Sequence, residues 1–138
     1  MYKTILVTLD GSQTDRAIID HIKALAGIMH SRVVLLHVAS GAPAKYHGAD
    51  ASGTEVEEGN EYLRQVRDEM RTAGVTADAE LAFGDPAREI INWVKREGCD
   101  LIAMSTHGHH MLADLVLGTT AIRVQHNVSV PVLLLRAK

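Results

Sequence analysis

Two apolar patterns alternate along the chain. One is a short, nearly continuous run of β-branched and leucine residues, the mark of a strand buried on both faces. Such runs occur at Thr4 to Leu9 (TILVTL), Arg32 to Ala39 (RVVLLHVA), Leu101 to Met104 and Val130 to Leu135 (VPVLLL). Between them, Val75 to Phe83 alternates at Val75, Ala77, Ala79, Leu81 and Phe83, which is strand periodicity. The other pattern recurs every three or four residues, as on one face of a helix. It puts Ile18, Ile22, Leu25 and Met29 on one helix, and Leu63, Val66 and Met70 on a second, predicted over Glu55 to Thr72. A third helix opens at Asp85-Pro86, because aspartate suits the N-cap and proline the first helical position. It is expected to bury Ile90, Ile91 and Val94 and to stop near Gly98. A last helix is expected from Thr119 to about Asn127. Ser40 to Thr54, rich in Gly, Ala and Ser, predicts a long loop. The acidic residues Glu55, Glu57, Glu58 and Glu61 then read as the solvated first turn of the second helix, favourable with its dipole.

The order β-α-β-α-β-α-β-loop-α-β, with strands apolar on both sides, predicts an α/β protein built on a doubly wound parallel sheet with helices on both faces. A length of 138 residues fits one domain, 1–138. The formal net charge is −3 and basic residues form no run, which argues against nucleic acid. The longest apolar runs are strand-sized, too short to span a membrane. The N-terminal apolar stretch is cut by Asp10, so it does not read as a signal peptide and a cytoplasmic location is expected. The single cysteine, Cys99, allows no internal disulfide and has no CxxC partner.

Doubly wound sheets bind ligands beyond the carboxyl ends of their strands, where the strand order reverses. That face carries Asp10, the Val38-Ala39-Ser40 step, Phe83-Gly84-Asp85 and the start of STHGHHMLADLVLGTT, Ser105 to Thr120. The segment leaves the fourth strand and returns to open the last helix at Gly118-Thr119-Thr120. A helix N-terminus offers free N–H groups and a partial positive charge to an anion. Gly118 permits close approach, the two threonines add hydroxyls, and Gly108 leaves room for a sugar or phosphate. By spacing alone, the same residues also read as a turn and an N-cap. Neither G-x-x-x-x-G-K-[ST] nor G-x-G-x-x-G is present. No lysine lies between Lys95 and Lys138, so phosphate charge would fall to backbone donors, hydroxyls, Arg123 or a metal.

These residues carry a resemblance. TILVTLDGS, VVLLHV, GDPAREI, CDLIAMSTHG, LGTT and VPVLLL occur in the order found in universal stress proteins of the UspA type. The chain resembles the ATP-binding branch, whose pattern G-x2-G-x9-G-[ST] is occupied here by Ser105-x2-Gly108-x9-Gly118-Thr119. Ser105 replaces the first glycine, and Thr8 stands where many relatives have proline. The resemblance implies five parallel strands in order 3-2-1-4-5, a Rossmann-like fold of the adenine nucleotide alpha hydrolase kind. It implies binding of ATP, or of AMP or ADP, with Mg²⁺ or Mn²⁺, and a homodimer. Carried over by position, Asp10 would contact the nucleoside or its metal, and the Val38 backbone would read adenine. Ser105, Thr106, His107 and Gly108 would line the ribose and α-phosphate, and Gly118, Thr119 and Thr120 the outer phosphates. The apolar C-terminal edge strand invites pairing with its own copy.

Hydrolysis needs an oriented water, a base and charge stabilisation. His107 is the one candidate base, so any turnover should be slow, with Thr119 or Thr120 as acceptors for autophosphorylation. The expected role is a nucleotide-dependent signalling or protective module in stress response. An interaction protein with a vestigial, AMP or cyclic AMP site is the alternative. His107, His109 and His110 raise a third reading, a metal carrier, but adjacent loop histidines do not easily converge on one ion. His37, inside the second strand, reads as a hydrogen-bonded core or strand-end residue and not as a ligand.

Overall fold

The computed structural model describes residues 1–39, 49–106 and 118–136, with backbone alone for 49–55. The elements run β1 (Thr4–Leu9), α1 (Asp15–Met29), β2 (Arg32–Ala39), α2 (Ala49–Thr72), β3 (Thr76–Phe83), α3 (Pro86–Glu97), β4 (Leu101–Thr106), α4 (Thr119–Asn127) and β5 (Val132–Arg136). All paired strands are parallel, in the order β3-β2-β1-β4-β5. The expected doubly wound topology is therefore the observed one.

The continuous apolar runs have one cause: successive side chains alternate between two buried faces. Ile5, Val7, Val33, Leu35, Leu101 and Ala103 pack with Ile18, Ile19 and Ile22 of α1 and Leu63, Val66 and Met70 of α2. On the other face Leu6, Val34, Leu36, Ile102 and Met104 meet Ala87, Ile90 and Val94 of α3 and Ala121 and Val124 of α4. Ile91, expected in the core, is half-buried, and Ala87 takes the inward position one turn before it.

Helix ends follow local chemistry. Asp85 caps α3, its Oδ2 accepting from the Arg88 N–H at 3.1 Å, with Pro86 in the first turn. Gly98 ends that helix with φ 64°, a left-handed conformation glycine adopts without strain. Helix α2 begins at Ala49, so the predicted loop is helical from 49 to 54, and 40–48 lie outside the described residues. Its small residues gave no apolar period to read. The acidic residues from Glu55 to Glu61 consequently stand inside the helix, beyond reach of the N-terminal dipole. Smaller differences are that β3 starts one residue late, β4 runs on to Thr106, and β5 spans Val132–Arg136.

Candidate functional site

A cleft opens where two neighbouring strands part. The β1–β4 ladder stops at Val7 opposite Ala103, although β1 continues to Leu9 and β4 to Thr106. The chain winds outward in one direction through β2 and β3 and in the other through β5, so this is the switch point of the sheet. The resulting cleft has a volume of about 330 Å³, within the small-ligand range. Thr8, Leu9 and Asp10 line it from β1 and its exit, His37 and Val38 from β2, Met104, Ser105 and Thr106 from β4, and Gly118 to Ala121 from the start of α4.

The structure thus brings together Asp10, Val38, Ser105, Thr106, Gly118, Thr119 and Thr120. His107, Gly108, His109 and His110 lie outside the described residues. Val38 stands one residue past His37, the last β2 residue paired with β1, so the chain there projects beyond that ladder. His37 sets its Nδ1 2.8 Å from the Leu9 carbonyl oxygen and ties the two strand ends together, the second of the two roles expected of it.

Two features give the cleft its polarity. Ser105 Oγ and Thr106 Oγ1 are buried and, among the described residues, have no hydrogen-bond partner. Thr106 is only 6% exposed. A buried hydroxyl without a partner costs free energy, which a ligand atom able to pair with it would recover. The second feature is α4. Gly118 is its N-cap, no described side chain caps it, and no acidic residue stands in its first turn. Its N–H end therefore faces the cleft with no acidic residue in the first turn of the helix to offset its partial positive charge.

Arg123, a sequence-level candidate for phosphate charge, is committed elsewhere. Its guanidinium donates to both carboxylate oxygens of Asp85, at 2.9 and 2.8 Å. The pair joins the N-cap of α3 to α4. Arg123 and the Arg88 N–H hold the Asp85 carboxyl below its ordinary range, and Asp85 raises Arg123 in turn.

Asp10 does not cap α1. The N-cap is Thr14, and Asp10 instead folds the turn after β1, its Oδ1 accepting from the Ser12 N–H at 2.8 Å and the Ser12 hydroxyl at 2.6 Å. Sequence reasoning missed the group behind that turn. Asp15, 1% exposed, accepts from the backbone N–H groups of Asp10 and Gly11 and from the hydroxyl of Tyr62 on α2. An aspartate opening a helix looks like any first-turn acid. Nothing in the local pattern points to a tyrosine 47 residues away. Burial pushes the Asp15 carboxyl up, against the opposing effect of these hydrogen bonds.

Among the described residues no three His, Cys, Asp or Glu side chains converge as a metal cage. The donor chemistry still fits a hard cation brought in with a ligand. Asp10 supplies an exposed carboxylate at the rim, and phosphate oxygens and water would complete the shell.

An α/β sheet with an anion-suited cleft at its switch point defines a class of small-ligand-binding domains. Sequence comparison makes it specific: residues 1–136 match the universal stress protein family, and the chain belongs to that family. It is 31% identical to universal stress protein MJ0531 of Methanocaldococcus jannaschii, over 99% of this chain and 83% of that protein. The solved structure of MJ0577, from the same organism, superposes with a TM-score of 0.87 at 28% identity, covering 100% of this chain and 98% of the other. The fold also extends to a universal stress protein in complex with cAMP (TM-score 0.78, 19% identity, 99% of each chain). A further case is the protein from Archaeoglobus fulgidus in complex with dAMP (TM-score 0.73, 16% identity, 96% and 97% of the two chains).

Proposed function

We propose that this universal stress protein binds an adenine nucleotide, ATP in the first instance, in the cleft between β1 and β4. The observation that carries the reading is the pair of buried hydroxyls, Ser105 Oγ and Thr106 Oγ1, which have no partner among the described residues and lie beside the start of α4, where no described side chain caps the helix. The cAMP and dAMP held by two distant relatives support it, because both are adenine nucleotides on the same fold. In this reading the Val38 backbone meets the base, and Ser105 and Thr106, with His107 and Gly108, meet the ribose and α-phosphate. Gly118, Thr119 and Thr120 hold the outer phosphates. Asp10 would hold a Mg²⁺ or Mn²⁺ brought in with the nucleotide, which would offset the phosphate charge. The protein acts as a nucleotide-dependent module of stress response, dimeric through β5, with phosphoryl chemistry slow or absent.

Thr106→Val tests the reading through two opposite signs. Removing an orphaned buried hydroxyl in favour of a methyl should leave the nucleotide-free protein as stable or more so. The same change should weaken ATP binding by about 1 kcal/mol, roughly fivefold. Calorimetric titration and thermal scans of both proteins measure the two effects. Unchanged affinity would remove the hydroxyl from the site.

A further inference from the structure

The turn that presents Asp10 is held from behind by one buried carboxylate. The Asp10 N–H lies 3.1 Å from each oxygen of Asp15, and Oδ2 also accepts from the Gly11 N–H at 2.9 Å and the Tyr62 hydroxyl at 2.6 Å. The carboxylate of Asp10 is directed elsewhere, to Ser12 and, at 3.4 Å, to the Thr14 hydroxyl. Asp15 lines the nucleotide cleft, whereas Tyr62 lines a second hollow of about 510 Å³ with Arg16, Val66 and Glu69. The Asp15–Tyr62 pair therefore forms part of the wall between the two. A buried carboxylate is expensive unless its oxygens are satisfied, and here the donors that satisfy it belong to the residues whose placement matters to the site.

We propose that Asp15 and Tyr62 are positioning residues that fix the Asp10-Gly11 backbone, so that the Asp10 carboxylate is presented to the metal–phosphate end of the nucleotide. The proposal rests on the nucleotide reading above. It assigns α2 a part in the site, because Tyr62 on α2 donates to Asp15. It also locates the effect: the metal-dependent share of affinity depends on the pair, and the share due to the base, ribose hydroxyls and α4 does not.

Two variants separate this from simple structural support. Asp15→Asn keeps the shape but turns an N–H₂ toward groups that themselves donate. Tyr62→Phe removes one donor and leaves the carboxylate on both backbone N–H groups. ATP affinity is measured by calorimetry with Mg²⁺ and again with EDTA. Backbone amide shifts of Asp10 and Gly11 are recorded by NMR on nucleotide-free protein. The expected result for Asp15→Asn is a loss of about tenfold with Mg²⁺ and less than about threefold with EDTA. The Asp10 and Gly11 amide protons should also move upfield. Tyr62→Phe should give a smaller loss, about threefold, again only with Mg²⁺. Equal losses with and without Mg²⁺ would overturn the proposal, as would unchanged affinity in both variants of a protein that binds ATP. Wild-type protein that binds no ATP in either buffer would overturn the nucleotide reading itself, and the positioning role with it. Should Asp15→Asn fail to fold, Tyr62→Phe decides alone by the same criteria.

Discussion

At the scale of single residues, burial decides which side chains can react and which only hold. Cys99 is 5% exposed, and burial pushes its thiol up to about 11. The thiolate is the reactive form, so Cys99 should resist a thiol reagent at neutral pH and react only after denaturant is added. Rapid labelling of the native protein would contradict that burial. Asp15 gives a pH prediction. Its folded pKa is raised above 3.8, so between 3.8 and the raised value the native state holds a proton that the unfolded chain has released. Its contribution to stability therefore falls as pH rises through that window and is constant on either side. Across the same window, the melting temperature of wild type relative to Asp15→Asn should decline. A relative rise would mean that the hydrogen bonds, and not burial, dominate the carboxyl. Asp10, Ser105, Thr106, Thr119 and Thr120 could be nominated from sequence because each adjoins a strand end or a helix start. Asp15 and Tyr62 could not, because their meaning arises from a contact between α1 and α2 that no local period encodes.

At the scale of elements, the cleft exists because two strands stop pairing before they stop. Strand positions were legible, since a continuous apolar run has few alternatives to a strand buried on both faces. Where β1 and β4 part was not, because apolar and polar residues follow one another identically in a paired and an unpaired strand end. The start of α2 was hidden for a different reason: Ala49 to Gly53 is small and polar, with no apolar face to mark a helix. The start of α4 was legible through Gly118-Thr119-Thr120. Its glycine is not required by backbone geometry, with φ −66°, and a Cβ there would meet no described atom within 4 Å. Gly118→Val should accordingly leave the melting temperature within about two degrees. A large drop in a thermal scan would show that the glycine serves the fold. Arg123 also shows the limit of composition. It is the cation nearest the α4 start in sequence, yet its partner is the N-cap of α3.

At the scale of the whole molecule, the sheet ends in an edge strand of apolar composition. Val132, Leu133, Leu134 and Leu135 are all half-buried, alternating between the two core faces. An edge of this kind offers unpaired backbone groups to a second copy, and a two-fold axis satisfies both edges at once. The protein should sediment as a dimer at micromolar concentration, and Val132→Lys should shift it toward monomer while circular dichroism stays unchanged. A wild-type monomer over that range in analytical ultracentrifugation would contradict the pairing. Among the described residues no helix is long and apolar enough to cross a membrane. In the proposed function, the switch-point cleft holds an adenine nucleotide by its phosphates at the start of α4. Calorimetric titration of ATP with Mg²⁺ into wild type and Gly118→Val tests it most directly. Wild type should bind one nucleotide per chain, and the variant should bind at least about tenfold more weakly, ~1.4 kcal/mol, at unchanged fold. Equal affinity in the two proteins, or no heat of binding in wild type, would contradict it.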